Sequence, residues 1–360
     1  MIERRDRPAV FAKFVAPEIL GEWGRLLLWL LRAFSRSGHE IWLFDNLPRD
    51  ELGKFGPLAL ELPNFRLTKG VPSDTADMYY LFDDEDRAVG GRRWRKKIQA
   101  RFDIFASHWF SRPIFVPYPV HPNHAGPDLA ERLADCRRLD KKMRVFFSGD
   151  TEGYVRSRVR YPSVKMPRLD VINAICRHLG DEVVRVADED TVEGLFASPG
   201  FANKFVLASP DFRIDSSKWL STVARAEFFL CPPGYVMPMC HNAVEALAVG
   251  AIPIISYPEW FDPRLEHLKN CVVFDDEADL VAKMRAVFAM GPEQISRMRS
   301  NAIDYYEGYL TDAWFIRRIE SSGRRKETVL LITEPYVAAR PGKLGWRSIL
   351  IRGTATRSGC

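Results

Sequence analysis

Apolar runs and helix-like periodicities alternate along most of the chain. Residues 10–15 form an apolar run that predicts a strand, and residues 21–37 place apolar side chains three and four positions apart, which predicts a helix. Gly38 stands where this helix would end, before a second apolar run at residues 39–44. Strand, helix and strand in this order predict a βαβ unit.

The alternation continues through the rest of the chain. Short strands are predicted at residues 78–82, 102–107 and 114–116, and a later series near Val145, Val183, Phe205, Phe228, Ile252 and Val272. Helices are predicted at about residues 168–178, 216–226, 238–249 and 278–288, and residues 292–319 have the pattern of one long helix. Strands alternating with helices predict parallel sheets covered on both faces.

Residues 227–256 combine a strand, a tight loop, a helix and a second strand. The apolar run at 228–230 stops at two prolines, and Gly234 is expected to take a positive φ in the turn. A helix then begins at about Pro238 and is expected to stop at Gly250. A loop at the carboxyl end of a parallel strand, followed by the amides of a helix N-terminus, is where α/β proteins hold phosphates.

The same residues resemble a known family. Cys-Pro-Pro-Gly at 231–234, the small-residue helix ending at 245–250 and the following Ile-Pro-Ile-Ile resemble the nucleotide-sugar half of exostosin-like glycosyltransferases. The apolar run to a glycine at 145–149, followed by Arg156, is similar to the opening strand of that half. The resemblance covers residues 143–309. Many relatives carry two basic or polar residues before the helix, where this chain has Met-Cys-His-Asn at 239–242.

The resemblance implies the GT-B fold, an α/β architecture of two Rossmann-like doubly wound domains facing a cleft, with a C-terminal helix crossing back onto the first half. We expect five segments: an acceptor-binding domain at 8–125, a linker at 126–142, a nucleotide-sugar domain at 143–310, the crossing-back helix at 311–322 and a basic tail, solvated or poorly ordered, at 323–360.

The implied activity is transfer of a sugar from a nucleoside diphosphate sugar to a glycan or lipid-linked acceptor in cell-envelope polysaccharide synthesis. The nucleotide sugar is a substrate, and no cofactor or metal is expected. Arg156 is expected to bind the diphosphate, with Arg158 and Arg160 as alternatives, and Glu245 to accept hydrogen bonds from ribose hydroxyls. The remaining donor candidates are Gly149, Gly234, Tyr235, His241 and Asn242.

An inverting transfer needs a general base within reach of the acceptor hydroxyl. Glu22 follows the first strand and Asp83 ends another, so these are the candidate bases, with Glu18 and Asp84 beside them. His108, His121 and His124 are weaker candidates, and no thiolate or helical frame accompanies them to suggest zinc.

Two alternatives stay open. The acidic run at 83–86 resembles the metal motif of GT-A glycosyltransferases, whose carboxylates hold a divalent cation against the diphosphate. The chain could instead be a non-catalytic sugar-nucleotide or glycan-binding subunit. EDTA sensitivity would favour the first, and nucleotide binding without activity the second.

Composition and charge limit the possible classes of protein and of binding partner. The 360 residues, 46% of them apolar, are enough for two cores, and the net charge is +5. Residues 323–360 hold eight Lys and Arg against two Glu, so the rest of the chain is nearly neutral and a general nucleic-acid surface is not supported. The basic tail could contact an anionic membrane surface or glycan.

The location in the cell is predicted from the N-terminus and the cysteines. With no apolar leader and no regular cysteine spacing, we expect a cytoplasmic protein with reduced thiols. Peripheral contact with the inner membrane stays open.

Overall fold

The structure is a computed structural model that describes residues 7–106, 112–150, 165–197, 203–209, 212–234 and 236–339. The chain divides into two compact units. The first contains the residues up to Pro117 together with those from Tyr309 onward, and the second runs from Tyr118 to Gly308.

The first unit is built on a seven-stranded sheet. Its strands are β1 (Ala9–Lys13), β2 (Glu40–Phe44), β3 (Phe65–Thr68), β4 (Met78–Phe82), β5 (Lys96–Arg101), β6 (Ile114–Val116) and β13 (Lys326–Leu331). Their order in the sheet is β3-β2-β1-β4-β5-β13-β6, and every pair is parallel. A parallel sheet with both faces covered buries its strands, and all five residues of β4 are buried.

The helices of this unit are α1 (Gly21–Arg36), α2 (Gly56–Leu60), α3 (Arg87–Gly90), α11 (Asp312–Ser321) and α12 (Glu334–Ala339). Helix α11 packs on α1: the rings of Trp29 and Phe315 lie 4.9 Å apart, and Arg36 donates to Asp312 at 2.9 Å. The predicted helix that crosses back onto the first half is therefore confirmed.

Three expectations for this unit need correction. The strand predicted at 102–107 is wrong: the strand in this part of the chain is β5 at 96–101, residues 102–106 form no strand, and residue 107 lies outside the described residues. Lys96, the first residue of β5, is buried and donates to the carbonyl of Ser322 at 2.7 Å. The long helix predicted at 292–319 divides at Thr311, whose hydroxyl accepts the N–H of Trp314 and starts a new helix. The tail predicted at 323–360 supplies β13, and its residues 340–360 lie outside the described residues.

The second unit contains a six-stranded parallel sheet. Its strands are β7 (Met143–Phe147), β8 (Val183–Val186), β9 (Phe205–Ala208), β10 (Ala226–Cys231), β11 (Ile252–Ile255) and β12 (Val272–Val273), in the order β12-β11-β10-β7-β9-β8. The helices are α4 (Leu129–Arg138), α5 (Arg168–His178), α6 (Glu189–Ala197), α7 (Trp219–Ala224), α8 (His241–Val249), α9 (Glu277–Ala289) and α10 (Pro292–Tyr309). No helix in the described ranges is long and apolar enough to cross a membrane.

Each sheet has a point where the strand order reverses direction. In the first sheet the chain proceeds outward from β1 to β2 and β3, then returns to place β4 on the other side of β1. In the second sheet, β8 and β9 lie on one side of β7 and β10 lies on the other. Ligands of doubly wound proteins bind outside the carboxyl ends of the strands at such switch points. The two parallel, doubly wound sheets confirm the predicted α/β class with two Rossmann-like units.

We expect Gly250→Ala to lower the free energy of unfolding by about 1–2 kcal/mol. Gly250 ends α8 with a left-handed φ of +74°, and an added Cβ would lie 2.9 Å from Cδ1 of Ile303. Chemical denaturation measures the change. Gly308→Ala is the matched control, since nothing lies within 4 Å of its added Cβ; an equal loss in both variants would contradict the conformational explanation.

Candidate functional site

The β10–α8 connection lies at the carboxyl edge of the second sheet. β10 ends at Cys231, and α8 begins at His241 after the N-cap residue Cys240, whose side chain makes no capping hydrogen bond. Small residues such as Ala243 and Ala246 allow α8 to pack closely, and both are fully buried. The predicted strand, loop, helix and second strand are therefore confirmed as a local structure.

The reason for a glycine at position 234 differs from the predicted one. It does not take a positive φ. Its N–H donates to the carbonyl of Pro238 at 3.0 Å, and an added Cβ would lie 2.6 Å from the carbonyl oxygen of Met237. Glycine is thus required by the close approach of the loop to itself.

A buried arginine joins the two loops at the switch point. Arg168, the first residue of α5, is 5% exposed. Its guanidinium donates to the carbonyl of Asp150 after β7 at 2.8 Å and to that of Pro233 after β10 at 3.3 Å. It also lies 3.9 Å from the sulfur of Cys240 at the start of α8. A positive charge therefore stands where the carboxyl ends of β7 and β10 meet a helix N-terminus.

Gly149 lies against this guanidinium. An added Cβ would be 3.5 Å from Nη1 of Arg168 and 3.3 Å from the ring of Phe147. The absence of a side chain at this position lets the backbone of Gly149 lie close to the arginine and to the Phe147 ring.

Glu245 is fully buried on α8. Oε1 accepts the backbone N–H of His121 at 3.0 Å, and Oε2 accepts the indole N–H of Trp219 on α7 at 2.7 Å. The carboxylate therefore attaches the segment around His121 and α7 to α8. A contact between Glu245 and ribose stays a prediction, and it requires the nucleotide to reach an oxygen that already has a protein donor.

Three histidines gather beside the start of α8. The ring of His121 lies 5.2 Å from that of His241 and 5.6 Å from that of His124. Burial lowers the pKa of His124 to about 4, so this ring is neutral at pH 7 and donates Nδ1–H to the carbonyl of Ser216 at 3.0 Å. Asn242 is 8% exposed and makes no side-chain hydrogen bond among the described residues. His241 and Asn242 are thus at the α8 N-terminus, as the sequence predicts.

Several predicted donor residues cannot be placed. Arg156 and its alternatives Arg158 and Arg160 belong to residues 151–164, which lie outside the described residues. Tyr235, in the loop before α8, lies outside them too. His108 lies outside them as well.

The candidate bases both hold backbone amides in the first unit. Asp83 accepts N–H groups from Val15 at 2.9 Å, from Ala16 at 2.7 Å and from Asp84 at 2.7 Å. Burial raises the pKa of Asp83, against the opposing effect of these donors. Glu22 accepts the N–H of Glu334 at 2.7 Å. Both carboxylates therefore anchor loops at the carboxyl edge of the first sheet, and a catalytic role for either stays a prediction.

Two further carboxylates of the acidic run, those of Glu85 and Asp86, also have protein partners. Glu85 pairs with Lys97 at 2.7 Å and with Lys326 at 3.1 Å, and Asp86 caps α3 while it pairs with Lys13 at 2.6 Å. Across the part of the chain that the structure describes, no group of three His, Cys, Asp or Glu side chains is arranged to hold a metal ion.

Sequence reasoning missed Arg168 and Trp219. In the sequence, Arg168 is one of several arginines near a predicted helix start, and Trp219 is one apolar residue of a short predicted helix. Neither residue belongs to a recognisable motif. The one available signal was topological, because a residue that begins the helix after β7 lies near the carboxyl end of that strand.

No family model matches the chain, and no curated protein matches it in sequence. Among solved structures, it is similar to HepE from Anabaena in complex with UDP, with 12% identity over 87% of this chain and 98% of that chain and a TM-score of 0.45. It is also similar to a glycosyltransferase from Rickettsia africae ESF-5, with 9% identity over 88% and 97% of the two chains and a TM-score of 0.46. Sucrose-phosphate synthase from Thermosynechococcus elongatus gives 11% identity, 87% and 98% coverage and a TM-score of 0.38.

We expect Glu245→Ala to lower the free energy of unfolding by about 1–3 kcal/mol, because the buried N–H groups of His121 and Trp219 would lose their acceptor. Glu245→Gln keeps one carbonyl oxygen and should lose less. Urea denaturation measures both, with the exposed Glu293→Ala as a control expected to stay within about 0.5 kcal/mol. Wild-type stability in Glu245→Ala would show that Glu245 is dispensable for holding these elements together.

Proposed function

We propose that this protein is a glycosyltransferase of the exostosin-like type that binds a nucleoside diphosphate sugar at the carboxyl edge of its second sheet. The observation that carries the proposal is the buried guanidinium of Arg168, held between the β7 and β10 loops beside the N-terminus of α8. The motif at 227–256, which resembles the donor half of that family, forms the adjoining loop and helix.

The chemistry of sugar transfer is favoured by a cation in such a position. As the bond from the sugar to the diphosphate breaks, negative charge develops on the leaving phosphate, and a preorganised cation lowers the barrier without rearranging. A guanidinium binds phosphate through directed N–H groups, and the dipole of α8 adds partial positive charge at its N-terminus. We therefore assign diphosphate binding to Arg168, together with Arg156 from the family resemblance.

The remaining donor contacts follow from position. Gly149 lets the loop after β7 approach Arg168 closely, and His241 and Asn242 offer polar groups in the first turn of α8. Tyr235 would cover the base or the diphosphate, and Gly234 shapes the loop that carries it. Glu245 would contribute through the ribose or by holding α8, and only a nucleotide-binding measurement separates these two roles.

The acceptor would be a glycan or lipid-linked saccharide in cell-envelope polysaccharide synthesis, and Glu22 or Asp83 would remove the proton of its hydroxyl. We propose metal-independent transfer, with arginine and helix amides stabilising the leaving group.

A non-catalytic sugar-nucleotide-binding protein is the second candidate. It is favoured by the hydrogen bonds of Asp83 and Glu22, whose carboxylates already accept backbone N–H groups that hold loops. Nucleotide binding without donor hydrolysis or transfer would support this candidate.

The first test is a thermal-shift panel of UDP, GDP, CMP and dTDP sugars with Mn²⁺ or with EDTA. A ligand that binds only the folded state adds roughly 2.7 kcal/mol at 100 times its dissociation constant. We expect one nucleotide class to raise the melting temperature equally with Mn²⁺ and with EDTA. A shift that requires Mn²⁺ would overturn metal independence, and no shift with any sugar nucleotide would overturn the donor site.

We expect Arg168→Ala to weaken binding of the selected nucleoside diphosphate by about tenfold or more, since charge-assisted hydrogen bonds contribute roughly 1.5–3 kcal/mol. Arg168→Lys keeps the charge and should lose less. Isothermal titration measures the dissociation constants. Arg177→Ala changes an exposed arginine on the same helix, paired with Glu277, and should bind as the wild type does. Equal affinities in all three variants would remove Arg168 from the site.

A further inference from the structure

Three consecutive residues of the first unit adopt the left-handed conformation. Glu22 has φ 58° and ψ 42°, Trp23 has φ 65° and ψ 30°, and Gly24 has φ 79° and ψ 12°. A left-handed residue that carries a Cβ costs roughly 1–2 kcal/mol, so the first two store strain. The turn forms a kink within the first residues of α1, before its regular part begins, and its central residue is the tryptophan.

The surroundings hold this turn in place. The carbonyl of Trp23 accepts the N–H of Phe55 at 2.7 Å, and Glu22 accepts the N–H of Glu334. An added Cβ on Gly53 would lie 2.6 Å from Cα of Trp23, and one on Gly24 would lie 2.3 Å from the carbonyl oxygen of Leu52. The backbone of Trp23 is therefore packed against the segment around Gly53.

The side chain of Trp23 is nevertheless 70% exposed. None of the described aromatic contacts involves its indole. Single exposed apolar residues are common on proteins. Folding does not explain a large rigid ring held in solvent by a strained and closely packed backbone, because glycine or asparagine would adopt the left-handed conformation at lower cost.

The position in the fold points to a ligand. The turn follows β1, whose carboxyl end adjoins that of β4 at the switch point of the first sheet. Asp83, at the end of β4, binds the N–H groups of Val15 and Ala16 and so fixes the loop that leads to the turn. Val15 on this loop is itself 55% exposed. The loop and turn thus lie at the edge where doubly wound sheets bind their ligands.

We propose that Trp23 is a stacking platform for a saccharide ring of the acceptor glycan. A sugar ring has an apolar C–H face and a rim of hydroxyl groups. The indole supplies a flat, rigid surface for that face at low conformational entropy cost. Exposed Glu51 and Lys54 lie near Gly53 in the segment that packs on the backbone of Trp23, and their charged groups can bind hydroxyl groups, which suits a sugar better than an apolar protein surface. The inference rests on the proposed function for the identity of the ligand as an acceptor.

The test measures oligosaccharide binding and nucleotide binding separately on the full chain. An array of defined neutral and uronate-containing oligosaccharides identifies a bound probe, and isothermal titration gives its dissociation constant for the wild type and for Trp23→Phe, Trp23→Ala and Trp23→Gly. We expect Trp23→Ala to weaken binding of the probe by about tenfold and Trp23→Phe to weaken it less, with nucleotide affinity unchanged.

Two further variants separate binding from folding. Trp23→Gly removes the left-handed strain, so its melting temperature should equal or exceed that of Trp23→Ala while binding stays lost. Leu268→Ala is a matched control: Leu268 is also an exposed apolar residue with a positive φ of 59°, but lies in the second unit, and its loss should leave oligosaccharide binding unchanged.

Oligosaccharide binding tests the Trp23 platform, and nucleotide binding tests the donor site, so either proposal can fail without the other. Wild-type oligosaccharide affinity in Trp23→Ala, or no oligosaccharide bound by the wild type, would overturn the platform even if nucleotide sugars bind. Trp23-dependent oligosaccharide binding without any nucleotide binding would uphold the platform and overturn the transferase proposal.

Discussion

Parallel strand pairing is the constraint on which the rest of this structure depends. Every described pair of strands in both sheets is parallel, so each connection must cross over one face before the next strand begins. Helices cover both faces as a result, the strands are buried on both sides, and half of the loops gather at the carboxyl edge. Each sheet therefore presents one edge where side chains from distant parts of the chain meet.

At both of these edges, buried polar groups hold the loops. Transfer of a charged or polar group out of water is costly unless hydrogen bonds replace its hydration. Asp83 satisfies its carboxylate with backbone amides from the loop after β1, and Arg168 satisfies its guanidinium with carbonyls from the loops after β7 and β10. Glu245 does the same with an indole and an amide. The loops gain a defined conformation because these groups need partners.

The two edges differ in charge and in exposed surface. The second sheet presents a guanidinium beside a helix N-terminus, which suits an anionic group. The first sheet presents the exposed indole of Trp23 on a strained turn, which suits a neutral ring with an apolar face. In the proposed activity, the second unit binds the nucleotide and the first unit binds the saccharide acceptor.

The sequence by itself determined the alternation of strands and helices, the helix end at Gly250 and the loop between β10 and α8. These features follow from local periodicity and from backbone preferences of single residues, which need no knowledge of distant contacts. Only the tertiary structure decided what the polar side chains do and where β13 pairs. Asp83 meets Val15 across 68 positions, and Lys96 meets Ser322 across 226, so neither partner can be recognised from local pattern. Trp23 shows the same limit: its strain and exposure arise because Gly53 and Phe55 pack on a turn that helical periodicity alone predicted to be regular.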